Sequence, residues 1–378
     1  MSGPADTGDP AADRRGARKP PATIYDVARH LGVSPSTVSR ALNKPGRINA
    51  ATEQRIRDGA AELGYQLNPM ARSLPTRRTG TLALIVSDIT NPVYFGLVRG
   101  AERAAADAGY TLVLAESQET ADREAEIASR LLVSVDGLVL VASRLDEPRL
   151  LALAERKPVI LVNRRMPGLP GLVADVGSGI RSSLDHLRAL GHRRIAYLPG
   201  PSTSWMSDLR WQTIRAESAA RGLAAIELAT TTPTVDGGRA ALPSLLAAGL
   251  VDPSATAASA LPAETPGART APTHEHAAAA VTAVFAYNDL VAIGLLQACR
   301  EASIDVPGTL SIIGFDDIFG SDFTSPPITT IRTPLDSLGD EAVRALLADL
   351  AGAPPEARSP LETEFVPRGS TASAASRA

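Results

Sequence analysis

The sequence predicts an all-α helix-turn-helix head joined to an α/β body of two doubly wound lobes. Three observations predict it. Residues 23–74 hold capped helical segments around a tight glycine turn. From Thr79 onward, short Val/Ile/Leu runs alternate with helical stretches, the pattern of βαβ units and parallel sheets. The charge is also divided. Between Arg14 and Arg78 lie 13 Lys and Arg against 4 Asp and Glu, whereas the whole chain has 38 against 41. A basic head on an acidic body is the electrostatic footprint of a nucleic-acid binder with a separate second module.

The first helix starts at Thr23, an N-cap residue ahead of the apolar positions Ile24, Val27, Ala28 and Leu31, with Asp26 against the positive helix end. Gly32 closes it. Ser34 caps the second helix, and Pro35 takes its first position, where no backbone N–H is needed. Val38, Ala41 and Leu42 form the apolar face of that helix. Pro35, Ser36, Thr37, Ser39, Arg40 and Asn43 face outward. Two short helices about a glycine turn make a helix-turn-helix, whose second helix enters the DNA major groove. Asn49 caps a third helix through Ile56, Ala60 and Leu63, stopped by Gly64. A fourth, very short helix begins at Asn68-Pro69 and is stopped by Pro75. So few residues cannot repay helix nucleation, so this segment is expected to fold only when something holds it.

The body reads as TLALIVSDI, a helix over 93–108, TLVLAES, a helix near 122–134, DGLVLVAS, a helix near 147–156, then PVILVNR and RRIAYLPG. Continuous aliphatic runs suit strands buried on both faces. Roughly 270 residues exceed one such core, which implies two lobes. Open α/β sheets bind ligands beyond the carboxyl ends of their strands. The candidate effector-binding residues are therefore Asp88, Asn91, Tyr94 and Phe95 after the first strand, and Asn163 and Arg164 after the fourth. Trp205 and Arg210 follow the RRIAYLPG strand, Asn288 and then Asp289 follow FAY, and Asp316 and then Asp317 end IIGFDD. Aromatic walls with converging Asn, Asp and Arg suit a small polyhydroxylated or heteroaromatic ligand. Residues 250–280 are rich in Ala, Thr and Pro and cannot bury a core, so they read as a flexible insertion. His274 and His276 within it lack a third ligand, and no metal or cofactor is expected.

VSPSTVSRALN and AELGYQLNPMARSL resemble the DNA-binding head of the LacI/GalR family of bacterial transcription regulators, and the resemblance runs over about residues 22–371. It implies that Pro35, Ser36 and Arg40 read bases, with Arg40 able to pair bidentately with guanine. Thr23, Ser34, Thr37, Asn43 and Arg47 would contact phosphate. Asn68, Arg72 and Leu74 would contact DNA from the hinge, Leu74 as a wedge in the minor groove. Tyr94, Phe95, Asn163, Arg210, Asn288 and Asp316 match positions that contact effector in the family. Three departures stand out: Pro75 after the hinge, Asn163 where Asp is usual, and Thr213 where Gly is usual. The resemblance further implies a periplasmic-binding-protein-like clamshell, with lobes of 80–180 plus 310–333 and of 181–309 plus 334–371, the chain crossing three times. A dimer surface is expected around helices 93–108 and 122–134.

The expected organisation is a disordered arm (1–21), the helix-turn-helix domain (22–67), a hinge and linker (68–78), an effector-binding and dimerisation domain (79–371) and a disordered tail (372–378). The expected function is a cytoplasmic homodimeric repressor on a pseudo-palindromic operator in double-stranded DNA, controlled by a sugar or nucleoside-like effector. No apolar run is long enough to span a membrane, and the tail lacks the Leu heptads of a helical tetramerisation module. A single cysteine, Cys299, excludes an internal disulfide. The runner-up is a solute-binding receptor. No phosphate loop, GxSxG elbow, HExxH or Cys-His pair is present, so no enzyme is expected.

Overall fold

The structure, a computed structural model, describes residues 22–43, 46–65, 78–249, 280–353 and 360–374. The arm, most of the hinge with Asn68, Arg72 and Leu74, the 250–279 stretch with its two histidines and the last four residues lie outside the described residues. The chain divides between Thr79 and Gly80 into two compact units.

The first unit contains helices α1 (Ile24–Leu31), α2 (Pro35–Asn43) and α3 (Ala50–Glu62). Thr23 and Asp26 form a reciprocal capping box, and Gly32 ends α1 with a left-handed φ of 64°. The Asn49 side chain accepts from the Ala51 N–H at the start of α3. Val27, Ala28, Val38, Ala41, Ile56 and Ala60 make the core, with Leu42 and Leu63 packed at its edge.

The second unit contains two sheets. The first runs in the order β2-β1-β3-β4-β5, with β1 Thr81–Val86, β2 Thr111–Glu116, β3 Gly137–Val141, β4 Val159–Val162 and β5 Gly171–Leu172. All its pairings are parallel, and Leu84 lies opposite Leu114 on one side and Val139 on the other. Side chains of a strand alternate between faces, and both faces here are apolar. Leu82, Leu84 and Val86 pack with α4 (Val93–Asp107) and α12 (Leu335–Leu350). Ala83 and Ile85 pack with α5 (Ala121–Leu131) and α6 (Glu147–Ala154).

The second sheet runs β11-β10-β9-β8-β6-β7. Its strands are β6 Arg194–Leu198, β7 Ala224–Glu227, β8 Ala283–Ala286, β9 Ser311–Asp316, β10 Thr329–Arg332 and β11 Glu364–Val366. Only β10 and β11 pair antiparallel. One face packs on α7 (Val176–Ala189) and α8 (Trp205–Ala220) through Ile180, Leu184 and Ile214. The other packs on α10 (Leu242–Ala247) and α11 (Asp289–Glu301), beside the short α9 (Val235–Ala240).

The two doubly wound lobes, the three crossings and the return of the chain to the second lobe from β11 onward match expectation, but the assignment of residues 310–350 is corrected. Strands β9 and β10 belong to the second sheet, because β8, α11 and β9 form one βαβ unit and β9 pairs directly with β8. Helix α12 belongs to the first lobe. There Gly100 of α4 and Gly339 of α12 let the helices meet backbone to backbone: a Cβ at Gly100 would strike the Asp336 carbonyl, and one at Gly339 the Leu97 carbonyl. The chain returns to the second lobe with β11 and stays there, the Ser370 carbonyl accepting from the Ile312 N–H and the Ala374 N–H donating to the Leu190 carbonyl.

Candidate functional sites

On α2, Ser36 and Arg40 are exposed while Val38 and Ala41 are buried. Positions four apart share a helix face, so a hydroxyl and a guanidinium stand side by side opposite the core. Pro35 and Thr37 are half-buried and Arg47 is exposed. Ser34 caps α2, its Oγ 2.8 Å from both Ser36 Oγ and Thr37 Oγ1 and accepting from the Thr37 N–H. Thr23 donates its hydroxyl to Asp26 Oδ2 at 2.6 Å. The Thr23 hydroxyl and backbone N–H hold the Asp26 carboxyl below the usual carboxylate range. Asn43 ends α2.

The second unit concentrates strained backbone and buried charge at the carboxyl ends of its strands. Among the described residues, seven non-glycine residues have positive φ, and six of them follow strands: Gln118 and Glu119 after β2, Ala142 after β3, Asn163 after β4, and Asp316 and Asp317 at the end of β9. Such conformations are unfavourable and cluster at ligand sites. Both sheets also reverse direction there. The strand order switches between β1 and β3 in one and between β6 and β8 in the other, the crevice where open α/β sheets take ligands.

Arg210, Asn288 and Asp316 are buried together. Arg210 donates from Nη2 to Asp316 Oδ1 at 2.8 Å and from Nη1 to the Tyr287 carbonyl. Its guanidinium stacks 4.3 Å from the Phe315 ring centroid. Burial opposes its charge most strongly, but Asp316 together with Tyr287 and Tyr197 offsets this, leaving its pKa raised. The buried Arg210 Nε has no hydrogen-bond partner. Asp316 also accepts from the Thr333 hydroxyl at 3.1 Å. Asn288 caps α11 and donates to the Pro233 carbonyl.

The first-lobe candidates divide. Tyr94 is buried with its hydroxyl 2.6 Å from Ser87 Oγ, and burial raises its pKa. Half-buried Asn163 takes its left-handed position at the end of β4. Asp88 accepts from the Thr90 N–H and hydroxyl, and Asn91 from the Val93 N–H, so both shape the turn into α4. Phe95 is 53% exposed, sharing one surface groove with Ile89, Val98 and Leu114 and lining another with Asp316, Phe319 and Arg332. Arg164 donates to the carbonyls of Ser143 and Leu145. Trp205 is half-buried at the start of α8.

The structure adds Tyr287 and Arg144, which the sequence reading passed over, and gives surroundings to Asp289, which that reading placed beside Asn288 after the FAY strand. Tyr287 places its hydroxyl 3.0 Å from Ser204 Oγ. Arg144, after β3, donates from Nε and Nη2 to Glu119 at 2.9 and 2.6 Å. Fully buried Asp289 accepts from the Thr330 hydroxyl at 2.6 Å and the Ile318 N–H at 2.8 Å. Burial, with Asp316 and Asp317 nearby, pushes its pKa up to about 8. Tyr287 directly precedes Asn288, so its signal was present in YND. Arg144 became visible only once strand order showed that β3 ends at the switch point.

Residues 23–68 match the description "Bacterial regulatory proteins, lacI family". Residues 79–271 match "Periplasmic binding proteins and sugar binding domain of LacI family", and 184–371 match "Periplasmic binding protein-like domain". The chain is 30% identical over 359 residues to the HTH-type transcriptional repressor CytR of Escherichia coli K12, covering 93% of this chain and 96% of that protein. It is also 30% identical over 335 residues to the ribose operon repressor of the same strain, with 86% and 92% covered. In three dimensions it resembles the lac repressor dimer bound to operator and the anti-inducer ONPF, with a TM-score of 0.77, 24% identity and coverage of 93% and 100%. It also resembles a transcriptional regulator CelR–cellobiose complex, with a TM-score of 0.63, 28% identity and coverage of 92% and 99%. With its helix-turn-helix head and its binding-protein-like body both matched, and with repressors among its relatives over most of its length, the chain belongs to the LacI family of bacterial DNA-binding transcription regulators.

Proposed function

We propose that the protein is a dimeric repressor whose operator affinity is set by a small polyhydroxylated metabolite, a sugar or nucleoside-like compound, held between its two lobes. The observation that carries this reading is the meeting of strained backbone and buried polar side chains at the two switch points. Arg210, Asn288 and Asp316 would meet hydroxyls from the second lobe, Arg210 Nε having a donor to spare. Tyr94 and Asn163 would do so from the first. Phe95 and Arg164 are less suited: the first faces a surface groove, and the second is committed to backbone carbonyls. Ribose and cellobiose, named with two of the relatives, support the ligand class.

In the head, Ser36 and Arg40 would read base edges, while Thr23, Ser34, Thr37, Asn43 and Arg47 would fix register on phosphate. One head covers a half-site, so a two-fold dimer implies a pseudo-palindromic operator. The exposed apolar residues Ile89, Phe95 and Leu114 beside α4, with the edge-on pair Phe319 and Phe323 in the second lobe, suit the surface that faces a second copy. The hinge 68–78 would carry lobe movement to the heads.

The test is a thermal-shift screen of the full-length protein against sugars and nucleosides, since a ligand that binds only the folded state raises the melting temperature. A stabilising compound should lose its effect in Asp316→Asn, provided this variant melts as wild type without ligand. An undiminished shift in that variant would place the ligand elsewhere, and a panel without any stabilising compound would contradict the ligand class.

A further inference from the structure

Three charged side chains of the first lobe are committed to one loop and the guanidinium it carries. Arg144 sits at the switch point after β3, and its side chain is only 4% exposed although it belongs to a loop. Glu119 takes two of its nitrogens on a single carboxylate oxygen. The buried Glu124 carboxylate accepts from the Arg144 backbone N–H at 2.8 Å, and its pKa is raised by burial. Arg164 ties the carbonyls on either side of Arg144. Left-handed backbone at Ala142 and Glu119 sets the two partners toward each other. The remaining nitrogen, Nη1, points across the cleft at the Thr203 carbonyl, 3.5 Å away. Thr203 lies after β6, at the switch point of the other lobe. It precedes Ser204, which caps α8 and contacts Tyr287.

We propose that Arg144 is a positioning residue that ties the two lobes across the cleft, with Glu119, Glu124 and Arg164 holding it against Thr203. At 3.5 Å this contact lies just beyond the usual N–H···O range of roughly 2.7–3.2 Å, so a small change in lobe angle tightens or breaks it. A cation already neutralised by Glu119 tolerates burial and offers the opposite lobe one directed donor. The arm thereby biases the fraction of molecules in which the cleft is closed, and apparent ligand affinity scales with that fraction. This deepens the effector-site reading by assigning the cleft a regulator of its own closure.

The test is amide exchange of the full-length chain, read by mass spectrometry without ligand or DNA. The reporters are the Gly200, Ser204 and Ser207 amides, each hydrogen-bonded within the second lobe. In Arg144→Ala these should exchange about 5-fold faster, the effect of losing roughly one weak hydrogen bond. Arg144→Lys keeps a cation for Glu119 but loses the planar fork that also reaches Thr203. It should therefore speed exchange around Ser204 and leave residues 142–146 near wild type, and it carries the test if the alanine variant does not fold. Unchanged exchange around Ser204 in Arg144→Lys, or acceleration confined to residues 142–146, would show that Arg144 only packs its own loop. Because no effector or DNA is present, that result would remove the arm and leave the effector-site reading standing.

Discussion

Arg40 and Asp289, one exposed and one buried, are single side chains on which the proposed function can be tested. Arg40 has its guanidinium in solvent on the face of α2 opposite Val38 and Ala41. If it reads a guanine, Arg40→Ala should remove about 1–3 kcal/mol of discrimination at one half-site base. Binding across an operator substitution series measures this, and an unchanged preference at every position would exclude the role. Asp289 holds the loop that carries Asp316 and Ile318, through the Ile318 N–H and the Thr330 hydroxyl. Its carboxyl titrates at about 8 in the folded protein, against about 4 when unfolded. The folded state therefore binds the extra proton, and stability falls as pH rises through that interval. Asp289→Asn imitates the protonated acid and lacks this loss. Its stability relative to wild type should grow between about pH 5 and about pH 9, as denaturant midpoints would show. Parallel pH profiles for the two proteins would contradict the assignment.

At the scale of elements, what was legible in the sequence was local. The Thr23 capping box, the Gly32 stop and the Asn49 cap are contained within a few residues, and they appear in the structure as the motif requires. The aliphatic runs of β1, β3 and β4 were equally plain, because strands covered on both faces cannot hide polar residues. Strand order was not legible. Which sheet takes β9, and which lobe takes α12, depends on pairings between residues far apart in the chain. Transferring lobe limits by resemblance assigned both wrongly. The same gap explains Arg144: its importance depends on where β3 sits in the sheet, not on its neighbours in sequence. By contrast, Arg210, Asn288 and Asp316, which the structure buries together, were chosen as candidates by looking past strand ends, which needs only the end of an aliphatic run. The α4–α12 contact supplies a direct element-scale test. Gly339→Ala forces a methyl into the Leu97 carbonyl, and overpacking of this kind costs about 1–3 kcal/mol. Its melting temperature should fall, whereas substitution of the solvent-facing Gly352 neighbour Ala351 should leave it near wild type. Equal melting of Gly339→Ala and wild type would show that the helices can separate freely.

At the scale of the whole molecule, the division of charge has a purpose in keeping with the family. The basic head would be drawn to phosphate, while the acidic body would stay off the duplex and leave its cleft open to a metabolite. Operator control requires that the two modules share a free energy. On the sequence reading, the segment 68–75 has too few residues to repay helix nucleation, and in the proposed function its folding would be the quantity on which both lobe angle and DNA act. Coupling of about 1–3 kcal/mol would change operator affinity by roughly 5–150-fold. The direction, release or capture of DNA, follows from which lobe angle the ligand favours. The most direct measurement takes an operator selected by the full-length protein from random duplexes and a compound that raises its melting temperature, and titrates DNA binding by fluorescence anisotropy with and without that compound. The account predicts a change in operator affinity within that range, abolished in Asp316→Asn. A compound that stabilises the protein through the cleft yet leaves operator affinity unchanged would contradict it.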